Sequence, residues 1–310
     1  MEAKILIVSP VHNEAAHIER VVRSVVAQEL TPARWIVVDD NSTDRTRELL
    51  VSWAAEVPFM EVRMVGAETP HAGARDRLAR AAAPRNFNLG LAAADWREYT
   101  HVMKLDGDIE LAPGYLRQLL ERFAADPRLG LAGGVLIEPL SDGSFKPIEI
   151  PRHHVHGAVK CYSRACFEAI GGVHERLGWD TIDETYARMR GFTTVSFDEL
   201  VSIHHRPWGS ADGALRGLTR LGECAYLTHY PPSWVALRSV KLGMHRPRGI
   251  LGMAYLYGYV RAVVCRSDRV QDAAYRRFTH RELHRRLTNF VVGDRSGMVA
   301  ARGPSINRAT

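Results

Sequence analysis

Cysteine is scarce: four residues in 310, at Cys161, Cys166, Cys224 and Cys265. They form no Cys-x-x-Cys pair and no zinc-ligand spacing, and a chain of this length does not depend on disulfide staples. Reduced thiols in a cytoplasmic protein are therefore expected. Long apolar runs are missing as well. The longest, ILGMAYLYGYV at 250–260, stops at Arg261, well short of the roughly 20 residues a membrane-spanning helix needs. The opening MEAKILIVSPVHNE lacks the basic start of a secretory signal, and its apolar stretch breaks at Pro10. There is no repeat and no low-complexity tract. The segment after the first apolar run, SPVHNEAAH, contains no glycine, which excludes the G-x-G-x-x-G turn of dinucleotide-binding oxidoreductases.

What is present is an ordinary globular composition, 46% apolar and 25% charged, in a chain long enough to bury a large core. The net charge of +6 suits anionic partners such as nucleotide phosphates, nucleic acid or an anionic membrane face. Arginine is concentrated between Arg238 and Arg286, but no nucleic-acid recognition motif accompanies it, so no nucleic-acid partner is expected.

The first half alternates strand and helix signals. KILIVSP reads as a strand buried on both faces, and WIVVDD, FMEVRMV and THVMKLD read as the second, third and fourth strands. Between them, Ile18, Val21, Val22, Val25 and Val26 recur at helical spacing, with Asn13 placed to cap. Asn41 and Asp44 look like a capping box for a second helix, and a third is expected around Asn86 to Ala94. Alternation of this kind predicts βαβ units in a mostly parallel, Rossmann-like sheet, whose ligands bind beyond the carboxyl ends of the strands. Three strand ends carry polar residues: Pro10 to Glu14, Asp39 with Asp40, and Asp106 with Asp108. The second half mixes strands with helices at SRACFEAIGG and WDTIDETYARMRG, and the chain turns helical and basic after PPSWV at 231–235.

Asp106 and Asp108 flank Gly107 at the end of an apolar strand. Two like charges this close disfavour mutual ionisation. A divalent cation bound to phosphates would offset both acids, since Mg²⁺ and Mn²⁺ take one or two carboxylates plus phosphate oxygens and water. The glycine would keep the turn tight and let a phosphate approach the backbone.

Taken in order, ILIVSPVHNEAAHIERVVRSVVAQ, WIVVDDNSTDRT, ARAAAPRNFNLGLAAA and HVMKLDGDIEL resemble the family 2 glycosyltransferases, over roughly residues 4 to 215. The resemblance implies the GT-A fold, and with a boundary at PPSWV that fold is expected in residues 1–230, followed by a helical extension over 231–295 and a polar tail over 296–310. It implies a metal-dependent, inverting enzyme that moves a sugar from a UDP- or GDP-linked donor to a sugar or lipid-linked acceptor. Pro10, His12 and Glu14 would surround the nucleoside, with Asp40 on the base, Asp39 nearby and Arg85 on phosphate. Asp106 would lie near the ribose or the metal, and Asp108 would hold Mg²⁺ or Mn²⁺. The catalytic base is expected at Asp180 or Asp183, with Glu184 behind them, and Trp179 stands where the family usually has a glutamate. His204 or His205 would complete the metal shell. Arg206, Trp208 and Trp179 would meet the diphosphate or the acceptor.

A sugar-nucleotide nucleotidyltransferase is the alternative enzyme, but that class opens with a glycine-rich phosphate loop that SPVHNEAAH lacks. A non-catalytic nucleotide-sugar-binding protein gains ground if neither Asp180 nor Asp183 faces the pocket. RHHVHG at 152–157 looks metal-like but has no carboxylates beside it in sequence, so it is expected to line a pocket or the surface. Around HRPRGILGMAYLYGYVRAVVCR, Arg246, Arg248, Arg261 and Arg266 flank an apolar, tyrosine-rich centre. That pattern fits contact with the cytoplasmic face of a membrane, and equally packing on the catalytic domain or on a second copy of the chain.

Overall fold

In a computed structural model of the chain, described here for residues 3–66, 81–206 and 213–292, the elements run as follows. They are β1 (Ile5–Val11), α1 (Ile18–Val26), β2 (Arg34–Asp39), α2 (Thr46–Glu56), β3 (Met60–Met64), α3 (Ala82–Ala92), β4 (His101–Leu105) and β5 (Ile109–Leu111). There follow α4 (Tyr115–Ala125), β6 (Leu129–Pro139), β7 (Phe145–Pro147), β8 (Val159–Ser163), α5 (Arg164–Ile170), α6 (Trp179–Met189) and β9 (Thr193–His204). The chain then continues through α7 (Ala214–Leu227), α8 (Pro232–Gly243), α9 (Ile250–Val264) and α10 (Ala273–Val292).

The strands form one sheet in the order β3-β2-β1-β4-β8-β6-β9-β5, with β7 on β6. The parallel arrangement expected from the βαβ alternation holds for β3-β2-β1-β4. Beyond β4 the sheet is mixed: β8 runs antiparallel to both β4 and β6, and β5 antiparallel to β9, while β6 and β9 are parallel. Residues alternate across the first strands as the pleat requires. Ile5, Ile7, Trp35 and Val37 pack with α1 and α4 on one face. Leu6, Val8, Ile36 and Val38 pack with α3 and α5 on the other. The Trp35 indole N–H, buried with the core, donates to Ser9 Oγ at 2.9 Å.

The caps differ from the sequence expectation. α1 begins at Ile18, after a turn in which the Glu14 carbonyl accepts from the His17 and Ile18 amides. Asn13 is too far upstream to cap it. Asn13 and Asn41 instead both take the left-handed conformation, at φ 54°, which asparagine tolerates better than most side chains. Asn13 accepts from the Thr43 amide at 2.8 Å through its side chain and donates its own amide to Ser42 Oγ at 3.0 Å, binding the β1 and β2 end loops together. Asp44, two residues before Thr46, accepts from the Thr46 amide at 3.0 Å, so this acid rather than Asn41 satisfies the start of α2.

The helices after β9 are more tightly interlocked than their sequence suggests. A Cβ on Gly222 of α7 would lie 1.9 Å from the Tyr255 carbonyl oxygen, and one on Gly258 of α9 would lie 1.9 Å from that of Thr219. The two helices therefore cross backbone to backbone. α9 buries Tyr255 and Tyr259 in a cluster with Leu221 and Ala225 of α7 and Val235 of α8. Among the described residues no helix is long and apolar enough to cross a membrane.

Burial of His101 at the start of β4, where its ring packs on Phe123 at 4.7 Å between centroids, pushes its pKa down to about 4. The unfolded chain binds a proton near the ordinary value of 6.5, so this contribution to stability is present at neutral pH and is lost as pH falls from there through about 4. Between pH 7 and pH 5 the loss from this one ring is about 2 kcal/mol. A His101→Phe variant is expected to show a smaller fall in urea midpoint over that interval than the wild type. An unchanged fall would mean that the ring is not held neutral.

Candidate active site

The parallel register sets the site. β1, β2 and β4 lie side by side and point the same way, so their carboxyl-terminal residues open on one edge of the sheet. The strands are buried and mostly apolar up to that edge because both faces carry helices, with Ser9 and Lys104 as buried polar exceptions.

Each acid at this edge has a distinct partner. Asp39, fully buried, accepts from Arg47 Nε at 3.1 Å and from the Ser42 amide at 3.2 Å. Asp40 accepts from Asn86 Nδ2 at 2.7 Å, and its carbonyl accepts from His12 Nδ1 at 2.7 Å. Pro10 lies on β1 opposite Val38, next to the Val11–Asp39 pair. Arg85 on α3 pairs with Glu175 at 3.9 Å.

Gly107 does more than keep a turn tight. A Cβ there would meet Glu14 Cγ at 3.1 Å and the Val11 methyls at 3.2 and 3.3 Å, so the missing side chain lets the Asp106–Asp108 loop lie directly on the end of β1. Glu14 faces this loop. Burial first, then the charge of Asp108, push its pKa up to about 8 against the pull of Arg206, whose Nη2 lies 2.6 Å from Glu14 Oε2.

The two aspartates escape their mutual repulsion by having unequal surroundings. Asp106 forms an ion pair with Lys104; burial, assisted by Asp108, nevertheless leaves its pKa raised. Burial also opposes ionisation of Asp108, but there His204 and Arg206 win and hold the carboxyl below its ordinary value. His204 Nε2 lies 3.6 Å from Asp108 Oδ2, and Arg206 Nε lies 3.8 Å from the same oxygen. On its other side the His204 ring meets Glu138 at 3.5 Å.

His205 is not part of this group. His205 follows the last residue of β9; its amide donates to the Asp108 carbonyl at 3.0 Å, but its ring turns to Glu110 at 2.7 Å and stacks on His17. Trp208 lies outside the described residues.

Among the described residues, no three histidine, cysteine or acidic side chains are arranged to hold a metal ion by themselves. The Asp108–His204 pair nevertheless fits a divalent cation that shares its shell with phosphate. Ligands bound at about 2.1 Å to one such cation sit roughly 3 to 4 Å apart, the range in which His204 Nε2 and Asp108 Oδ2 already stand; a bound cation would take the place beside that oxygen that the Arg206 guanidinium now holds.

Across the edge lies the start of α6. The Gly157–Ala158 segment bridges the two sides: the Asp106 amide donates to the Ala158 carbonyl at 2.9 Å, and Lys104 Nζ donates to the Gly157 carbonyl at 2.9 Å. A Cβ on Gly157 would touch Trp179 at 2.9 Å and Asp180 at 3.4 Å. The Trp179 ring has the Lys104 and Lys160 ammonium groups at 5.3 and 5.2 Å from its centroid, within cation–π range. Asp180 is partly exposed in the first turn of α6, and its backbone carbonyl accepts from Lys160 Nζ at 2.7 Å.

Asp183 is fully buried, so it does not present a base to a substrate. It pairs with Lys160 at 3.2 Å and accepts from the Tyr162 hydroxyl. Glu184 lies in the same cluster, 3.1 Å from Lys160 and 3.0 Å from His154, and accepts from the Val155 amide at 2.8 Å. These contacts give RHHVHG the carboxylate that its own sequence neighbourhood lacks, and they commit His154 to an ion pair in the interior. Burial disfavours the Lys160 ammonium, but Asp183 and Glu184 outweigh it and raise its pKa.

Lys104, Lys160 and Asn86 are the working residues that motif reading passed over. The two lysines carried a signal. A lysine inside an apolar strand, as in VMKL and VKCY, can be buried only with a charged partner, and the acids at 106, 183 and 184 are those partners.

The profile of the family described as "Glycosyl transferase family 2" matches residues 6–171. Over 111 residues the chain is 32% identical to the succinoglycan biosynthesis protein ExoO of Rhizobium meliloti (strain 1021), a stretch covering 36% of this chain and 27% of that protein. The fold is similar to that of the mannosyltransferase PcManGT from Pyrobaculum calidifontis in complex with GDP-Man and Mn²⁺ (TM-score 0.54, 18% identity, 95% of this chain and 88% of that one). It is also similar to GalNAc-T7 with UDP, GalNAc and Mn²⁺ (TM-score 0.57, 13% identity, 93% of this chain and 57% of that one). With strands and strand-end acids in the family's order, and the GT-A architecture around them, the chain belongs to glycosyl transferase family 2.

Proposed function

We propose that this glycosyltransferase moves a sugar from a UDP- or GDP-linked donor to an acceptor hydroxyl with inversion at the anomeric carbon, and that Asp180 is the general base. One observation carries the reading. The Gly157–Ala158 segment touches the Asp106–Asp108 loop on one side and the partly exposed Asp180 on the other, so a donor held at the strand ends would lie beside a carboxylate. The GDP-Man and UDP complexes of proteins with this fold support the donor class. The partial match to a succinoglycan biosynthesis protein supports an acceptor in polysaccharide synthesis, with glycolipid or secondary-metabolite acceptors as related chemistry. Four free cysteines support action in the reducing cytoplasm. In this reading residues 1–230 carry transfer, and α8, α9 and α10 buttress α6 and α7.

In the proposed reaction Asp40, oriented by Asn86, accepts from the nucleobase, and Asp106 meets the ribose. A hydroxyl is a poor nucleophile, so Asp180 takes its proton as the oxygen attacks the anomeric carbon from the face opposite the diphosphate. The bond to the diphosphate oxygen breaks as the new glycosidic bond forms. Arg206, already at the Asp108 carboxylate, pairs with the departing phosphate. Asp108 and His204 are the residues that would hold Mg²⁺ or Mn²⁺, whose bound charge stabilises a leaving diphosphate. Lys160 fixes the backbone of Asp180, and Trp179 packs beside it.

A thermal-shift panel of UDP- and GDP-sugars with and without Mn²⁺ tests the donor assignment. One donor is expected to raise Tm in the presence of the cation, because ligand binding to the folded state stabilises by mass action. No shift with any donor would contradict the reading.

Replacement of the two acids separates their roles. Asp180→Asn is expected to lower kcat by about 10²- to 10⁴-fold while keeping Tm and the donor shift. Asp183→Asn is expected to leave Lys160 short of a buried partner and to cost roughly 3 to 5 kcal/mol of stability. Full turnover by Asp180→Asn would remove it as the base.

A further inference from the structure

α9 has two faces. Gly252, Tyr255, Gly258, Tyr259 and Ala262 are buried against the neighbouring helices. On the opposite side Met253, Tyr257, Val260 and Val264 recur at spacings of four, three and four, which puts them on one stripe. Val240 and Met244 of the adjoining α8 segment are exposed as well. Exposure runs from 48% at Val260 through 62% at Met253 and Tyr257 to 66% at Val240, 67% at Met244 and 75% at Val264. Apolar side chains this exposed, on two helices packed together, form a surface that water does not favour.

The charge around this surface selects its partner. From Pro232 to Ser267 there is no aspartate or glutamate, while Arg238, Lys241, Arg246, Arg248, Arg261 and Arg266 all fall in that stretch. Arg246, Arg248 and Arg266 are exposed. Arg261 is balanced by Glu223 of α7 at 2.8 Å. A second copy of the chain meeting this face symmetrically would bring cations against cations. An anionic lipid surface would meet apolar side chains with its acyl boundary and the cations with its headgroups.

We propose that the α8–α9 hairpin is an interfacial docking surface for an anionic lipid bilayer. Fifteen residues of α9 span about 22 Å, less than the roughly 30 Å hydrocarbon core, so the helix lies in the interface. The hairpin is rigidly mounted. α7 meets α9 backbone to backbone at Gly222 and Gly258. The same α7 packs on the residue that precedes α6, with Thr228 and Cys224 at 3.5 and 3.7 Å from a Cβ on Gly178. One helix therefore separates the lipid-facing stripe from the turn that carries Asp180, an arrangement that would deliver a lipid-linked acceptor to the base. The docking claim itself stands apart from the transfer reaction, because vesicle binding is read without substrate.

The full chain is sedimented with vesicles of phosphatidylcholine alone and of mixed phosphatidylcholine and phosphatidylglycerol, at low and high salt. Binding is expected only to the mixed vesicles and is expected to weaken with salt. Each cation near an anionic surface is worth about a fivefold factor in partitioning, so Arg246→Glu with Arg248→Glu is expected to lower binding by at least about tenfold. Met253→Ser with Tyr257→Ser, both at exposed positions, is expected to lower it by about tenfold too. Hydrogen exchange on the unaltered protein gives a reading without substitution: mixed vesicles are expected to slow exchange across 250–264. Three results would overturn the proposal: no binding to mixed vesicles, binding that neither double variant changes, or a dimer in sedimentation equilibrium that Met253→Ser with Tyr257→Ser dissociates. The last would assign the face to a second copy.

Discussion

The site is governed by a concentration of negative charge. Three adjacent parallel strands end together and place Asp39, Asp40, Asp106 and Asp108 on one edge, with Glu14 against Gly107. Buried carboxylates this close are tolerated only if each finds a partner or gives up its charge. The protein uses both solutions. Arg47, Asn86 and Lys104 each take one acid. Burial and the neighbouring charge push Glu14 toward its neutral form. Asp108 keeps its charge because His204 and Arg206 lie beside it. Its carboxylate lies beside His204, a side chain that can share a cation with it.

The opposite wall is held by buried cations. Lys104 and Lys160 stand on neighbouring antiparallel strands at registered positions, with the Trp179 ring near both. Lys160 also joins the acids of α6, and Arg188 carries that network outward to Glu282 of α10 at 2.8 Å. Asp180 thus projects from a turn whose backbone is fixed from beneath, with its side chain partly open. A base needs that combination of fixed position and access.

Much of this was legible in the sequence. The first three βαβ units followed from continuous apolar runs and helical spacing, because strands covered on both faces have few other compositions open to them. The strand-end acids stood out for the same reason. Pairing in the second half was not legible. β8 inserts antiparallel between β4 and β6, and that depends on contacts far apart in sequence. Asn13 and Asn41 looked like caps, since asparagine serves both as cap and in left-handed turns, and local sequence does not distinguish the two. Asp180 and Asp183 could not be separated by spacing alone. Residues three apart on a helix share a side only approximately, and burial beneath β8 withdrew Asp183 from the cleft.

The central claim is that Asp108, kept ionised beside His204, holds a divalent cation together with a nucleotide diphosphate. Electron paramagnetic resonance of free Mn²⁺, titrated with the protein and UDP or GDP, measures this directly. The account predicts that the unaltered chain with its cognate nucleotide removes Mn²⁺ from solution and that Asp108→Asn, folded to the same Tm, does so at least about tenfold more weakly. Equal Mn²⁺ uptake by the two proteins would contradict it.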